Sequence, residues 1–375
     1  MTTVADRLDA ACQVLAGRGP EIETAGRLPD DVVAAVRATG VFRMWLPSEL
    51  GGAEARPAEV IDTLSSLAAA EGAAGWCAAI GMASNLVAGY LPRSGAEEVF
   101  ATGDEIAGGS LMPAGRARRT ENGGLLVSGQ WPFGSGAHHS DWLAGGALVD
   151  TGGAPELRLV LLPRNEVELI GGSWEVAGLR GTGSVDYRVA DAVVPERRSV
   201  PLTAMTTWPA GAMWRIPLTA LLLPVMAAVP IGIARAALAE LTTLATAKTP
   251  YRSTRTLAER ESTQSGLARA TADVEAAAGY LSTAMTALFD TAAAAVPTLE
   301  ERAAARLAAV HAAQVAADAV QFAYRAAGTT ALRLTSPLQR HLRDVNACTQ
   351  HYALAASGYE TVGKVLLGLP ADTPL

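Results

Sequence analysis

Hydrophobic periodicity changes twice along this sequence, and the change constrains the fold more than any single motif does. Up to about residue 105, apolar residues recur at three- and four-residue spacing in VADRLDAACQVL, DDVVAAVRATGVF and the run AEVIDTLSSLAAAEGAAGWCAAIGMASNLVAGYL. That is the period of an amphipathic helix. Pro29-Asp30-Asp31 reads as a helix start, and LPSELGG (46–52) as a loop broken by proline and paired glycine. From about 106 to 200 glycines multiply and β-type runs appear: GLLVSGQW, DWLAGGALV, LRLVLLP, VELIGGSWEV and DYRVADAVV. Turn signals such as Glu121-Asn122-Gly123-Gly124 and Thr151-Gly152-Gly153 separate them about ten residues apart, which predicts an antiparallel barrel or sandwich. From about 216 the helical period returns in long Ala-rich segments, whose length points to a helical bundle. A chain of 375 residues accommodates two or three such units, here expected at 1–105, 106–212 and 213–375.

Composition narrows the function classes. Half of the residues are hydrophobic and 18% are charged, enough apolar material for a large core. The net charge of −7 carries no basic footprint for nucleic acid. Only Lys248 and Lys364 are lysines, which reads as codon bias rather than function. Cys12, Cys77 and Cys348 are odd in number, far apart and outside any CxxC or Cys/His cluster. Neither zinc nor a disulfide framework is expected, and a reducing cytoplasm fits. The N-terminal MTTVADRLDAACQVLAG carries Asp6, Arg7 and Asp9 and lacks the apolar core of a signal peptide. One uncharged run, Ile216 to Ala234, is nearly long enough to span a bilayer. Prolines at 217, 224 and 230 interrupt it, so a buried core helix is expected and no membrane association.

Four stretches have the residue types for chemistry. GQWPFGSGAHHSDW (129–142) combines Trp131, Phe133, Ser135 and three glycines, offering close backbone approach, a flat stacking surface and a hydroxyl donor. The bland alternative is a hairpin with a packing aromatic. His138 and His139 have no partner at metal-ligand spacing, and a surface or supporting role is expected. GLRGTGS (178–184) is glycine-rich but lies between β-type runs with no helix after it, so it is no nucleotide-binding Rossmann fingerprint and reads as a loop. YRSTRTLAERESTQ (251–264) places Arg252 and Arg255 between two apolar helices, as phosphate ligands or as a solvated connection. Finally, Arg340, His341, Arg343, Asp344 and His351 fall within twelve residues; Arg340, Asp344 and His351, at steps of four and seven, share one face of an expected helix. Solvated charge is the default for such a run.

In this order, LPSELGG, GLLVSGQWPFGSG with DW, GLRGTGSVDYRVADAVVP, the 251–264 stretch and RHLRDVNACTQH resemble the acyl-CoA dehydrogenase superfamily over nearly the whole chain. The resemblance implies an α+β fold with an N-terminal helical domain, a central β-barrel and a C-terminal four-helix bundle. It also implies flavin between barrel and bundle, and a homotetramer. WPFGSG followed by AHHSDW, together with RDVNACTQHYAL, is similar to the two-component flavin monooxygenase branch, in which 4-hydroxyphenylacetate hydroxylase oxygenases belong. Such an enzyme takes reduced flavin (FMNH2 or FADH2) from a separate reductase. With O2 it forms a flavin C4a-hydroperoxide and hydroxylates a small aromatic, amine or sulfur substrate. The resemblance implies His351 and Ser135 as catalytic, with His351 as general base and Ser135 as donor to the flavin. It implies Trp131, Phe133, Ser135, Arg180, Thr182, Ser184, Arg255, Arg343 and Asp344 as cofactor-binding, and no metal. Two alternatives stand beside it: an acyl-CoA dehydrogenase-type FAD oxidoreductase with Glu360 of GYETVG as base, and a silent member serving as a binding subunit.

Overall fold

The structure is a computed structural model that describes residues 3–203, 205, 208–373 and 375. The first two residues of the N-terminal segment therefore lie outside the described residues. Six helices come first: α1 (Val4–Leu15), α2 (Gly19–Ala25), α3 (Asp30–Ala38), α4 (Pro57–Ala70), α5 (Gly72–Asn85) and α6 (Arg93–Val99). A capping box starts α1, with the Thr3 hydroxyl accepting from Asp6 N at 3.1 Å and the Asp6 carboxylate accepting from Thr3 N at 2.9 Å. The long apolar run breaks at Glu71, which is extended (φ −158°) and whose carboxylate caps α5 by accepting from Ala73 N at 3.4 Å.

Seven strands follow: β1 (Ala107–Arg119), β2 (Leu125–Trp131), β3 (Trp142–Val149), β4 (Glu156–Pro163), β5 (Glu168–Ile170), β6 (Asp186–Val194) and β7 (Ser199–Pro201). They form one sheet in the order β5-β6-β2-β1-β3-β4-β7. Two expectations change here. The ladders are antiparallel except β1 with β3, which is parallel, so the sheet is mixed. The hydrogen-bonded order runs from β5 to β7 without a ladder joining those edges among the described residues, so the sheet is open rather than a closed barrel.

The chain ends in α7 (Leu218–Val225), α8 (Ala228–Ala247), α9 (Glu261–Ala292), α10 (Leu299–Ala327), α11 (Pro337–Thr349) and α12 (Gly358–Leu366). Helix α8 packs on α9, α10 and α11, and α10 packs on α9, α11 and α12. A Thr298–Glu301 capping box starts α10. The apolar run at α7 and α8 is long and apolar enough to cross a membrane by composition, and 89% of its most apolar window is buried inside the protein. Residues from α1 to α5 share one continuous apolar core with α7 to α11, and a second, smaller core sits within the sheet. Helix α5 reaches both: it packs on β1 on one side and on α8 and α11 on the other. That position makes it the bridge between the sheet's loops and the C-terminal helices.

Candidate active site

Two loops of the sheet meet against α5. The segment 132–141 joins β2 to β3, and 171–185 joins β5 to β6 through a single 3-10 turn at Arg180–Thr182. Gly134 N donates to the Val185 carbonyl at 3.0 Å and Gly136 N to the Thr182 carbonyl at 3.4 Å, fastening one loop to the other. Phe133 (φ 63°) and Leu179 (φ 52°) both sit in the left-handed region. For a residue with a Cβ that conformation costs about 1–2 kcal/mol and persists only where neighbours impose it. At Leu179 the neighbour is Asp344, almost fully buried, whose Oδ1 accepts the Leu179 N–H at 2.6 Å.

Behind the loops a line of polar atoms is sealed from solvent. Trp76 Nε1 on α5 donates to Ser135 Oγ at 3.2 Å. Ser135 Oγ lies 2.8 Å from Ser184 Oγ, and Ser184 Oγ lies 2.7 Å from Thr182 Oγ1. Thr182 Oγ1 donates to the Leu179 carbonyl at 2.8 Å. The three hydroxyl residues are each buried. The Trp76 ring also meets the ring of His351 in a T-shaped contact at 5.2 Å and 81°. One indole thus touches both residues expected to be catalytic.

His351 is not on the helix expected to carry it: α11 ends at Thr349, and His351 lies in the turn that follows. Its Nδ1 accepts the Ala353 N–H at 3.2 Å. Arg306 of α10 holds the same turn, donating to the Ala353 carbonyl and, at 2.5 Å, to that of Tyr352. Burial, and secondarily the Arg306 charge, push the His351 pKa down to about 4. A neutral ring whose Nδ1 accepts carries its proton on Nε2. At neutral pH His351 therefore presents a donor, whereas the sequence suggested a base.

Trp131 also departs from expectation. It is fully buried in the sheet core, stacked on Tyr187 at 5.3 Å, with Nε1 donating to the Gly146 carbonyl at 2.8 Å. Glycines 115, 129 and 145 leave the room it fills. It is core, not the wall of a site; Phe133, 58% exposed and edge-on to Trp174 at 6.2 Å, is the aromatic left at the loop surface. Arg180 is exposed with no ion pair among the described residues. Arg255 is exposed too, bonded to the Glu259 carbonyl and 3.8 Å from the Glu261 carboxylate. Arg343 ties α11 to α2 and the loop, reaching the Glu23 carboxylate, Gln339 Oε1 at 2.8 Å and the Ala177 carbonyl at 2.6 Å. Arg340 and Asp344 lie with Glu71, Glu23 and Arg180 around a small buried cleft, so the charge run is largely buried rather than solvated. Burial raises the Asp344 pKa to about 7. Glu360 is exposed in the first turn of α12. His138 is exposed, and among the described residues no cluster of His, Cys, Asp and Glu could hold a metal.

Comparison with known proteins decides between the chemistries this scaffold allows. Residues 224–356 match the family described as acyl-CoA dehydrogenase, C-terminal domain. The chain is 32% identical to a pigment production hydroxylase of Rhodococcus erythropolis, covering 98% of this chain and 97% of that protein. It is 30% identical to an indole-3-acetate monooxygenase of Acinetobacter baumannii, covering 96% and 94%. The chain belongs to the flavin-dependent monooxygenase branch of the acyl-CoA dehydrogenase superfamily. Its fold matches that of XiaF from Streptomyces sp., solved in complex with FADH2 and glycerol, with a TM-score of 0.91 and 27% identity over 99% of this chain and 96% of that one. Within this monooxygenase branch, the residue that sequence reasoning passed over is Trp76. Its only signal was a tryptophan in a helix otherwise made of small residues, GAAGWCAA, where an indole N–H needs a partner.

Proposed function

We propose that the chain is the oxygenase component of a two-component system, taking FMNH2 or FADH2 from a separate reductase and placing one atom of O2 on a small aromatic, amine or sulfur substrate. The observation that carries this is the sealed polar line Thr182–Ser184–Ser135–Trp76, whose indole meets neutral His351. The donor set fits a flavin: hydroxyls for the ring edge at Ser135 and Ser184, an exposed aromatic at Phe133, and exposed guanidiniums at Arg180 and Arg255 for phosphate. Reduced flavin, when bound, supplies the two electrons that activate O2. Thr182, Arg343 and Asp344 act by fixing the loop that carries Arg180 and Ser184. His351 offers its Nε2–H to the substrate heteroatom or to oxygen, and the Trp76 ring walls that position.

The indole-3-acetate monooxygenase among the relatives supports an aromatic substrate. In this reading the three units at 1–105, 106–212 and 213–375 are the family's helical domain, a central β domain built on the open mixed sheet, and the four-helix bundle. The enzyme is a cytoplasmic homotetramer in which Arg255 reaches a neighbouring subunit's flavin. The test is isotopic. Anaerobically reduced FMN or FADH2, this protein and indole-3-acetate or resorcinol are mixed with 18O2, and the product is read by mass spectrometry. One 18O atom per product is expected. No incorporation, together with bleaching of bound oxidised FAD by an acyl-CoA, would replace the proposal with the dehydrogenase.

A further inference from the structure

The turn after α11 is held by its own backbone on either side of one peptide. His351 N donates to the Cys348 carbonyl at 3.1 Å, and the His351 carbonyl accepts Leu354 N at 2.8 Å and Ala355 N at 2.9 Å. Between them lies the peptide joining Tyr352 to Ala353. Its N–H points at His351 Nδ1, 3.2 Å away, and its carbonyl accepts from Arg306 at 2.5 Å. Among the described residues only Arg306 donates to that carbonyl and to the next one, of Ala353. Arg306 is 5% exposed, with no carboxylate in ion-pair reach among the described residues. The Tyr352 ring lies over it at 5.3 Å, and Gly358 leaves its space, since a Cβ there would stand 3.4 Å from the guanidinium. A buried cation without a counter-charge is costly, and here its polar targets are two carbonyls of the turn that carries His351.

We infer that Arg306, by gripping the carbonyl of the 352–353 peptide, decides which ring nitrogen of His351 carries the proton and so keeps His351 a donor toward the reacting oxygen. Held as it is, the peptide shows Nδ1 an N–H, which a neutral ring meets only with a lone pair, so the proton sits on Nε2. Turned over, the same peptide would show Nδ1 its carbonyl oxygen. The ring would then carry its proton on Nδ1 and offer Nε2 as an acceptor. Two orientations of one peptide thus exchange His351 between donor and acceptor without moving the ring. The guanidinium favours the first orientation in two ways. It binds the carbonyl, and by drawing electron density toward it makes the N–H at the other end of the same amide a stronger donor. The dipoles align from guanidinium through peptide to imidazole, and Nε2–H presents their positive end to an oxygen that gains negative charge. Arg306 acts through the peptide and the ring rather than on the ligand, as a positioning residue.

The use made of the donor rests on the monooxygenase reading above, whereas the tautomer does not, and the experiment keeps the two apart. Protein labelled with nitrogen-15 in its five histidines is read by NMR at neutral pH without flavin or substrate, and His351 is assigned by its absence in His351→Asn. Wild type should show Nε2–H over Nδ1–H by about tenfold or more. Arg306→Met, and Arg306→Gln, which keeps a donor but not the charge, should lower that ratio about tenfold, the scale of one hydrogen bond exchanged in a buried site. Arg306→Lys, which keeps the charge, should restore it, whereas a merely structural lesion would loosen the turn in Lys as in Gln. In single turnover with pre-reduced flavin, Met and Gln should hydroxylate about tenfold or more slowly with flavin affinity little changed, and Lys should recover. A wild-type ring protonated on Nδ1 or divided evenly, a ratio unmoved in both Met and Gln, Lys no better than Gln, or hydroxylation indifferent to a shifted ratio overturns the inference. The expected ratios in a protein that places no 18O in product overturn the monooxygenase reading and leave the control of the tautomer standing.

Discussion

His351 gives the sharpest test, because the contact at its Nδ1 fixes a neutral tautomer whose free nitrogen donates, opposite in role to the one its position suggested. Its pKa is pushed down to about 4, first by burial and then by Arg306. At pH 7 roughly one ring in a thousand is then protonated, against about a quarter for an imidazole near 6.5. The neutral ring uses Nδ1 to accept from Ala353 N at 3.2 Å, so Nε2 holds the proton and can only donate. A donor and a base respond differently to substitution. If His351 donates, His351→Asn keeps an N–H and should stay within about tenfold of wild type, while His351→Ala loses roughly one buried hydrogen bond, about 1–3 kcal/mol or tenfold to a hundredfold. If it were a base, Asn and Ala would be equally poor, each down about 10²- to 10⁴-fold. The assay is single-turnover product formation with pre-reduced flavin from pH 5.5 to 8. The expected profile has no limb removed by the His351 variants, and nitrogen NMR should show the Nε2–H tautomer. Equal loss in Asn and Ala, with a limb between pH 6 and 7 that disappears in both, would refute the reasoning.

Three further outcomes follow from packing and charge. Asp344 has its pKa raised to about 7 by burial, so the fold holds a proton that the unfolded chain has released; its stability contribution declines as pH rises from about 4 through 7. Asp344→Asn keeps an acceptor for Leu179 N and removes that decline, so Tm of the variant relative to wild type should increase between pH 5 and pH 8. Gly145→Ala would place a Cβ 2.7 Å from Trp131, and this overpacking should cost about 1–3 kcal/mol in urea unfolding. Arg306→Met strips the donors from the Tyr352 and Ala353 carbonyls in the interior. It should lower stability by about 2–4 kcal/mol and, by releasing the His351 turn, depress hydroxylation more than flavin binding.

The succession of periods in the sequence carried the element types, because helix and strand periods survive in local composition. Five strand runs were legible, yet β1 was not, since AGGSLMPAGRARR alternates poorly and bends at a register shift between Ser110 and Gly115. VELIGGSWEV kept only three residues as strand because its paired glycines turn the chain. The loop residues Ser135, Thr182 and Ser184 were legible as a set, but not their sequence of donors, which depends on a carbonyl at Leu179 and an indole from another helix. Trp131 misled because a tryptophan beside a glycine-rich loop looks the same whether its ring faces a ligand or fills a space left by glycines on its own and two neighbouring strands. The acid–base roles of His351 and Asp344 came from burial, which no local pattern encodes.

The continuous core shared by the first and last helices has a consequence for biosynthesis. Helix α4 packs on α8, yet more than a hundred residues, including the entire sheet, separate them in sequence. At about 5–20 residues per second, α4 and α5 leave the ribosome roughly ten seconds or more before the helices that cover them exist. The sheet, whose strands pair mostly with neighbours close in sequence, can close in that interval and present β1 to α5. The nascent chain thus carries an apolar, alanine-rich helix pair as an unburied surface through most of its synthesis. Demand on cotranslational chaperones should be concentrated there, and a ribosome stalled before α8 would release an aggregating fragment rather than a domain.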